Sequence, residues 1–277
     1  MRIHSISTGH VQVHSSQVRG RGTGFQRRLN VLRDREWTRP LPIHAWAIEH
    51  PEGLILVDTG EVHEASDPRH YPAANPYFRR ALRVDLPRRD EIDQQLFRLG
   101  LSPEQVRWVV LTHMHTDHAG GLRHFPQAEI VVAADELAAT RGVSGRVRGY
   151  LPQLWPRWLA PRTITFRGDP VGEFPASHAL TAAGDVVLVP TPGHTYGHLS
   201  VLVRRPGRPT VLLAGDASYT QQLMLEGAVD GVAIDERAAH DTLLRLQRLT
   251  RGDPTVYLPA HDPDSADRYR LEQIVPA

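Results

Sequence analysis

The sequence predicts an α+β chain built on mixed β-sheets with helices grouped outside them. Three observations lead there. A short run rich in Val, Ile and Leu, ending in polar residues of metal-ligand type, recurs five times. Segments Thr163–Phe166, Ala179–Thr181, Val186–Val189, Ser200–Val203 and Val211–Ala214 follow one another with only turns between, which argues for antiparallel or mixed pairing. The helical patterns lie between and after these runs instead of alternating strictly with them.

Taken in order, Leu54–Val57 reads as a buried strand leading into Asp58-Thr-Gly60. Residues 60–88 show little periodicity and look like an insertion. Asp90–Leu99 places Ile92, Leu96 and Leu99 on one helical face, with Gly100 as its stop. Ser102-Pro103-Glu104 reads as a cap and first-turn proline opening a short helix. Strand Trp108–Leu111 runs into Thr112-His-Met-His-Thr-Asp-His118, and strand Ile130–Ala133 is followed by a short helix, Asp135–Thr140. Residues 141–162 form a second insertion, carrying Tyr150, Leu151, Leu154, Trp155, Trp158 and Leu159. Val186–Val189 leads to Pro190-Thr-Pro-Gly-His194, Val211–Ala214 to Gly215-Asp216, and Val256–Leu258 to Pro259-Ala-His261. Glu236–Leu249 is the clearest amphipathic helix, and Asp264–Ile274 reads as a last one. Five strands with chemistry-bearing residues just past their C-terminal ends imply one functional rim. No Pro/Ser linker divides the chain, so residues 1–277 are expected to form one domain.

Composition narrows the chemistry. The 277 residues include no Cys and no Lys, so all 32 basic side chains are Arg, whereas His numbers 16. Disulfides, thiolate catalysis, Cys-held iron–sulfur clusters, Schiff bases and Walker-type phosphate loops are excluded. His, Asp and Glu remain, a set suited to a metal held by imidazole and carboxylate. A net charge of +1 points to neither nucleic acid nor an anionic membrane. No apolar run suggests a signal peptide or membrane span, so a cytoplasmic location is expected.

His113-Met-His115-Thr-Asp117-His118 puts four potential ligands within six residues. At this composition chance supplies about 0.003 such strings per chain. In an extended chain His113 and His115 point the same way, and a following turn brings Asp117 and His118 round. His194, Asp216 and His261, each after an apolar strand, are the natural further ligands, although each taken singly could be a cap or surface residue.

This pattern resembles the metallo-β-lactamase fold superfamily over residues 58 to 261. The resemblance implies a four-layer αβ/βα sandwich: two mixed sheets face to face, helices outside, and a metal site at one edge. Cys-liganded β-lactamases are set aside by the missing Cys, and diiron oxygen-reducing relatives by His115 where they carry Glu. Glyoxalase II-type thioesterases and the nucleases of the fold add regions not visible here.

Asp216-Ala-Ser-Tyr219 resembles the N-acyl-homoserine lactonases, the quorum-quenching enzymes, as do the opening segments Leu41–His50 and Gly53–Gly60. That resemblance implies two divalent ions, zinc first, with cobalt, manganese or iron as alternatives. His113, His115 and His194 would hold one ion, Asp117, His118 and His261 the other, and Asp216 would bridge. A metal-bridging hydroxide would attack the lactone carbonyl, with Tyr219 polarising the carbonyl oxygen and Asp117 delivering a proton to the leaving alkoxide. Asp58 would orient imidazoles without being a ligand, or is simply a turn residue; Tyr219 is otherwise a packing residue. His198 is read as structural or as supporting the ligands. His10, His44, His50, His63, His70, His124, His178 and His240 are read as surface or core.

The expected substrate is a lactone with an acyl chain. The Tyr150–Leu159 segment would be either a wall for that chain or a homodimer contact. The alternatives are another lactonase, an esterase, a thioesterase or a phosphotriesterase on the same centre, or a metal-binding scaffold without catalysis.

Overall fold

The apolar runs become strands covered on both faces, which is why they read as continuous instead of alternating. The computed structural model describes residues 1–73 and 75–276. The first sheet comprises β1 (Arg2–Val13), β2 (Leu41–Glu49), β3 (Leu54–Val57), β4 (Leu82–Asp85), β5 (Val106–Val110), β6 (Glu129–Ala133) and β7 (Arg162–Ile164). Their order is β4-β1-β2-β3-β5-β6-β7. The second comprises β8 (His178–Ala179), β9 (Val186–Pro190), β10 (Leu199–Val203), β11 (Thr210–Gly215) and β12 (Thr255–Pro259), in the order β12-β11-β10-β9-β8. Both sheets are mixed: β3, β5, β6 and β7 pair parallel, as do β11 and β12, and the other neighbours pair antiparallel.

Alternation within each strand sorts its residues between layers. Ile55 and Val57 of β3 join Trp108, Val110, Val131, Val201, Leu213 and Leu258 in a core between the two sheets. Leu54, Leu56, Val109 and Val132 face outward onto Ile92 and Leu96 of helix Ile92–Arg98 and onto Leu122 and Phe125. On the far side, Val189, Leu202, Leu212 and Tyr257 pack against Leu243, Leu246 and Leu249 of helix Glu236–Gly252. Helix, sheet, sheet and helix therefore stack as the four-layer sandwich that the resemblance implied.

The best amphipathic segment is the longest helix. The Asp235 carboxylate accepts from the Ala238 N–H at 2.9 Å and caps its start. It ends at Gly252, two residues before Pro254, which has no N–H to continue it. Its buried face sets Leu243 and Leu246 three residues apart. Each fully buried leucine contributes about 1.5–3 kcal/mol, and Leu246→Ala would cost about 2–5 kcal/mol once the cavity is counted.

Several boundaries differ from the sequence reading. The Asp90–Leu99 helix is split: Glu91 is extended, its carboxylate drawn to His63, His124 and Arg123, and the α-helix begins at Ile92. Gly100 does end it, at φ 75°, with the Leu101 N–H donating back to Leu96. The turn after Ser102 is a 3₁₀ segment, Pro103–Gln105. The last helix is only Ser265–Arg270, because Glu272 turns left-handed at φ 48°. Segment Thr163–Phe166 contributes to β7, which pairs parallel to β6 in the first sheet, whereas the segments that follow it build the second. Among the described residues no helix is long and apolar enough to cross a membrane.

Candidate metal centre

The hexapeptide leaves β5 at the rim shared by both sheets. Met114 is apolar and wholly buried in the outer core, so its neighbours His113 and His115 face the other way. The chain then turns into the short helix Thr116–Ala119, with the Ala119 N–H donating to the His115 carbonyl at 3.0 Å, and this brings Asp117 and His118 round. His194 follows β9 on a loop whose Gly193 (φ 141°) lies against the backbone of Ala239. Asp216 follows Gly215 (φ 53°), where a Cβ would lie 2.7 Å from His198 Nε2 and 2.8 Å from Thr112. His261 follows β12, held by the Ala260 N–H donating to the Gly215 carbonyl at 3.0 Å.

All seven residues meet. His115 Nδ1 lies 3.0 Å from His113 Nε2 and 3.2 Å from His194 Nε2. His118 Nε2 and His261 Nε2 each lie 3.4 Å from Asp216 Oδ1, while His194 Nε2 lies 3.5 Å from Asp216 Oδ2. Asp117 approaches His261 at 3.3 Å and His118 at 3.9 Å. Asp216 thus presents one oxygen to each of two nests.

The outward ring nitrogens explain why these lone pairs converge. His118 Nδ1–H donates to Asp58 at 2.8 Å, His194 Nδ1–H to Asp230 at 3.2 Å, and His261 Nδ1–H to the Pro42 carbonyl at 2.9 Å. His115 Nε2–H donates to the Arg148 carbonyl at 3.0 Å and His113 Nδ1–H to Thr112 Oγ1 at 3.2 Å. In its neutral form each imidazole therefore gives its proton away from the centre and turns a lone pair toward it. Lone pairs crowded together repel, and a cation between them relieves this. His118 Nε2 and Asp216 Oδ1 are buried with no hydrogen-bond partner. Three sets of ligand atoms lie close enough to share an ion: His113, His115 and His194; His113, His118 and Asp216; Asp117, His118 and His261. Donor chemistry and orphaned atoms both fit a metal.

The electrostatics agree. Burial, reinforced by His118, His115 and His194, pushes His113 well below the ordinary imidazole range. Burial and His194 likewise lower His115 to about 4. Burial also disfavours charge on His118 and His261, but carboxylates outweigh it: Asp216, Asp58 and Asp117 raise His118 well above its usual value, and Asp216 and Asp117 raise His261 to about 10. Asp216 falls well below the carboxylate range despite burial, because His261 and His118 stand beside it. The centre is built to surround positive charge.

Asp58 is more than a turn residue. At φ 60° it accepts from the Thr112 N–H, the Thr112 hydroxyl and His118, each at 2.8 Å. His198 is a support: its Nε2 accepts from the Asp216 N–H at 3.0 Å. Three supports were not found from sequence. Asp230 holds His194. Glu136 accepts from Met114 N–H (2.9 Å), Thr195 Oγ1 (2.6 Å) and Gly197 N–H (3.2 Å), tying the hexapeptide to the His194 loop. Glu61 is buried near Asp117, its pKa raised by burial to about 7, and accepts from the Tyr71 hydroxyl at 3.1 Å. Of the remaining histidines, His14, His44 and His50 are buried. His63 and His124 gather with Glu64, Asp93 and Glu91, but Arg123 and Arg88 already donate to those carboxylates.

A cavity of about 790 Å³ opens onto the centre, reaching His115, Asp117, His194, Asp216 and His261. Tyr219 lines it, buried, its ring stacked on His261 with centroids 5.3 Å apart. Both insertions contribute wall: Tyr71, Tyr77 and Phe78 from one, Val143, Val147 and Leu151 from the other. Tyr150, Trp155 and Leu159 pack instead into the outer core, with Tyr150 5.3 Å from the His115 ring.

The metallo-beta-lactamase superfamily model matches residues 38–261. The chain is similar to "Probable metallo-hydrolase Rv2300c" of Mycobacterium tuberculosis, 33% identical over 243 residues that cover 80% of this chain and 74% of that protein. It is also similar to "N-acyl homoserine lactonase AttM" of Agrobacterium fabrum, 30% identical over 236 residues, covering 81% and 83% respectively. Among solved structures, an N-acyl homoserine lactone hydrolase with N-hexanoyl-L-homoserine bound at its catalytic metal centre superposes with a TM-score of 0.76. It shares 22% identity and covers 99% of this chain and 97% of that one.

Proposed function

The chain belongs to the metallo-beta-lactamase superfamily and is a metal-dependent hydrolase, and from that premise we propose that it opens the ring of N-acyl-homoserine lactones at a centre of two divalent ions, with zinc the first choice. The observation that carries this reading is Asp216 facing two ligand nests with the Tyr219 phenol beside it, stacked on His261. The AttM similarity and the largely apolar cavity support the substrate.

His113, His115 and His194 would hold one ion, Asp117, His118 and His261 the other, and Asp216 would lend one oxygen to each. Bound there, such ions supply water deprotonated near neutral pH and an electrophile for a carbonyl oxygen. The Tyr219 hydroxyl donates to the lactone carbonyl oxygen as negative charge develops on it. Asp117, the most accessible of the carboxylates at the centre, takes up the proton released by the attacking water and passes it to the ring oxygen as that bond breaks. Asp58 and Asp230 keep His118 and His194 in the tautomer that offers Nε2. The walls formed by Tyr71, Phe78, Val143 and Leu151 would bury the acyl chain.

The test is acid release from a panel of acyl-homoserine lactones in a pH-indicator assay, with metal counted on the same sample. Turnover with about two ions per chain supports the reading. Turnover only of aryl esters, thioesters or phosphotriesters would move the substrate while keeping the centre. Tyr219→Phe should lower kcat on lactones about a hundredfold with metal content unchanged.

A further inference from the structure

The Tyr219 hydroxyl oxygen is held from behind. Gln17 Nε2 donates to it at 2.8 Å, and Gln17 Oε1 accepts from the Tyr77 hydroxyl at 2.9 Å. Gln17 is buried in the short helix Ser15–Val18 that follows β1, and Tyr77 sits in helix Pro76–Arg80. All three side chains line the cavity that reaches the centre. Gln17 precedes residue 38, where the superfamily match begins, so nothing in that match assigns it a role.

A phenol has one proton to give and an oxygen that can accept. Because Gln17 supplies an N–H to that oxygen, the Tyr219 proton is not spent on Gln17 and can be given to another acceptor. The amide keeps this orientation because Tyr77 gives its own proton to the opposite end, Oε1. A group at position 17 that could only accept would reverse the arrangement and take the Tyr219 proton for itself. We propose that Gln17, fixed by Tyr77, is a positioning residue that keeps Tyr219 a hydrogen-bond donor toward the substrate carbonyl. The proposal rests on the lactonase reading, in which Tyr219 acts on that carbonyl.

The experiment compares metal-loaded wild type, Gln17→Glu, Tyr77→Phe, Tyr219→Phe and the doubles with Tyr219→Phe, using N-hexanoyl-homoserine lactone and counting metal throughout. At pH 8 the introduced carboxylate can only accept. Gln17→Glu should therefore lower kcat about as far as Tyr219→Phe, about a hundredfold, with KM within about twofold. On the Tyr219→Phe background it should add no further loss. The loss should shrink toward pH 5 as the introduced carboxyl protonates and donates again. Tyr77→Phe, which keeps the ring and its packing, should lower kcat about threefold by freeing the amide to rotate, again only when Tyr219 is present. It serves if Gln17→Glu does not fold. Wild-type kcat in Gln17→Glu, or equal losses with and without the Tyr219 hydroxyl, would overturn the proposal. Wild-type enzyme that turns over no lactone overturns the underlying reading, and the proposal with it.

Discussion

Asp58→Asn isolates the support behind one half of the centre. Asp58 is buried and accepts three hydrogen bonds of 2.8 Å, from the Thr112 N–H, the Thr112 hydroxyl and His118 Nδ1. Asparagine has nearly the same shape and tolerates the left-handed backbone at φ 60°, so no strain is added. It lacks one acceptor oxygen. If its NH₂ faces His118, two donors meet and the imidazole must move its proton to Nε2, turning an N–H into the ligand cluster. If the amide flips, the NH₂ meets the Thr112 backbone N–H, which cannot move its proton. Either way the His118 side of the centre is weakened. Loss of such a support costs about 10–100-fold in metal affinity, or about 1.4–2.7 kcal/mol. On the proposed two-ion assignment, competition against a chromophoric chelator should show one of the two ions weakened by that factor, with activity recovering as metal is added. Affinity within about twofold of wild type for both ions, in a folded variant, would refute the claim that Asp58 sets the His118 tautomer.

Three further outcomes are expected. In metal-free protein, burial raises Glu61 from 4.5 to about 7. Between those values the folded chain holds a proton at Glu61 that the unfolded chain releases, so the contribution of Glu61 to stability falls as pH rises through that window and levels off above it. The cost is about 3 kcal/mol, and the stability difference between Glu61→Gln and wild type in urea unfolding should grow in favour of the variant by that amount from pH 4 to pH 8. Glu136→Ala leaves the buried Met114 and Gly197 N–H groups without their acceptor and should cost about 2–4 kcal/mol by the same method. Gly193→Ala drives a Cβ into the backbone of Ala239 at a positive φ, so it should lower stability by about 2 kcal/mol or more and, on the proposed assignment, weaken the ion at His194 more than that at His118.

The parts of the fold legible in the sequence were those whose burial is complete. β3, β9, β10, β11 and β12 lie wholly or almost wholly in the interior and leave unbroken apolar runs. β1 escaped notice because it mixes Ser, Thr and His with its apolar residues and breaks register between Ser7 and His10. β4 is a short edge strand with only partly covered residues. Helix Gly24–Arg33 buries only Arg27 and Val31, and its Phe25 is exposed, so the helical pattern is faint. The site divides the same way. The hexapeptide is local, and its spacing survives in the sequence. Asp230, Glu136 and Gln17 gain their roles only where distant loops meet, and one Asp, Glu or Gln among many carries no local mark of that meeting.

The rim also governs how the molecule comes apart. The chain has no Cys, so no disulfide can cross-link its two sheets. On the proposed assignment, His113 to His118 come from the first sheet and His194, Asp216 and His261 from the second. One ion would then be a cross-link closing a loop of 80 residues, from His115 to His194, and the other a loop of 145, from Asp117 to His261. Free metal at about a thousand times its dissociation constant would add about 4 kcal/mol to the folded state for each ion, provided the unfolded chain binds none. Resistance to heat or protease would thus follow the metal supply, and a chelator would loosen the seam between the sheets before either sheet melted.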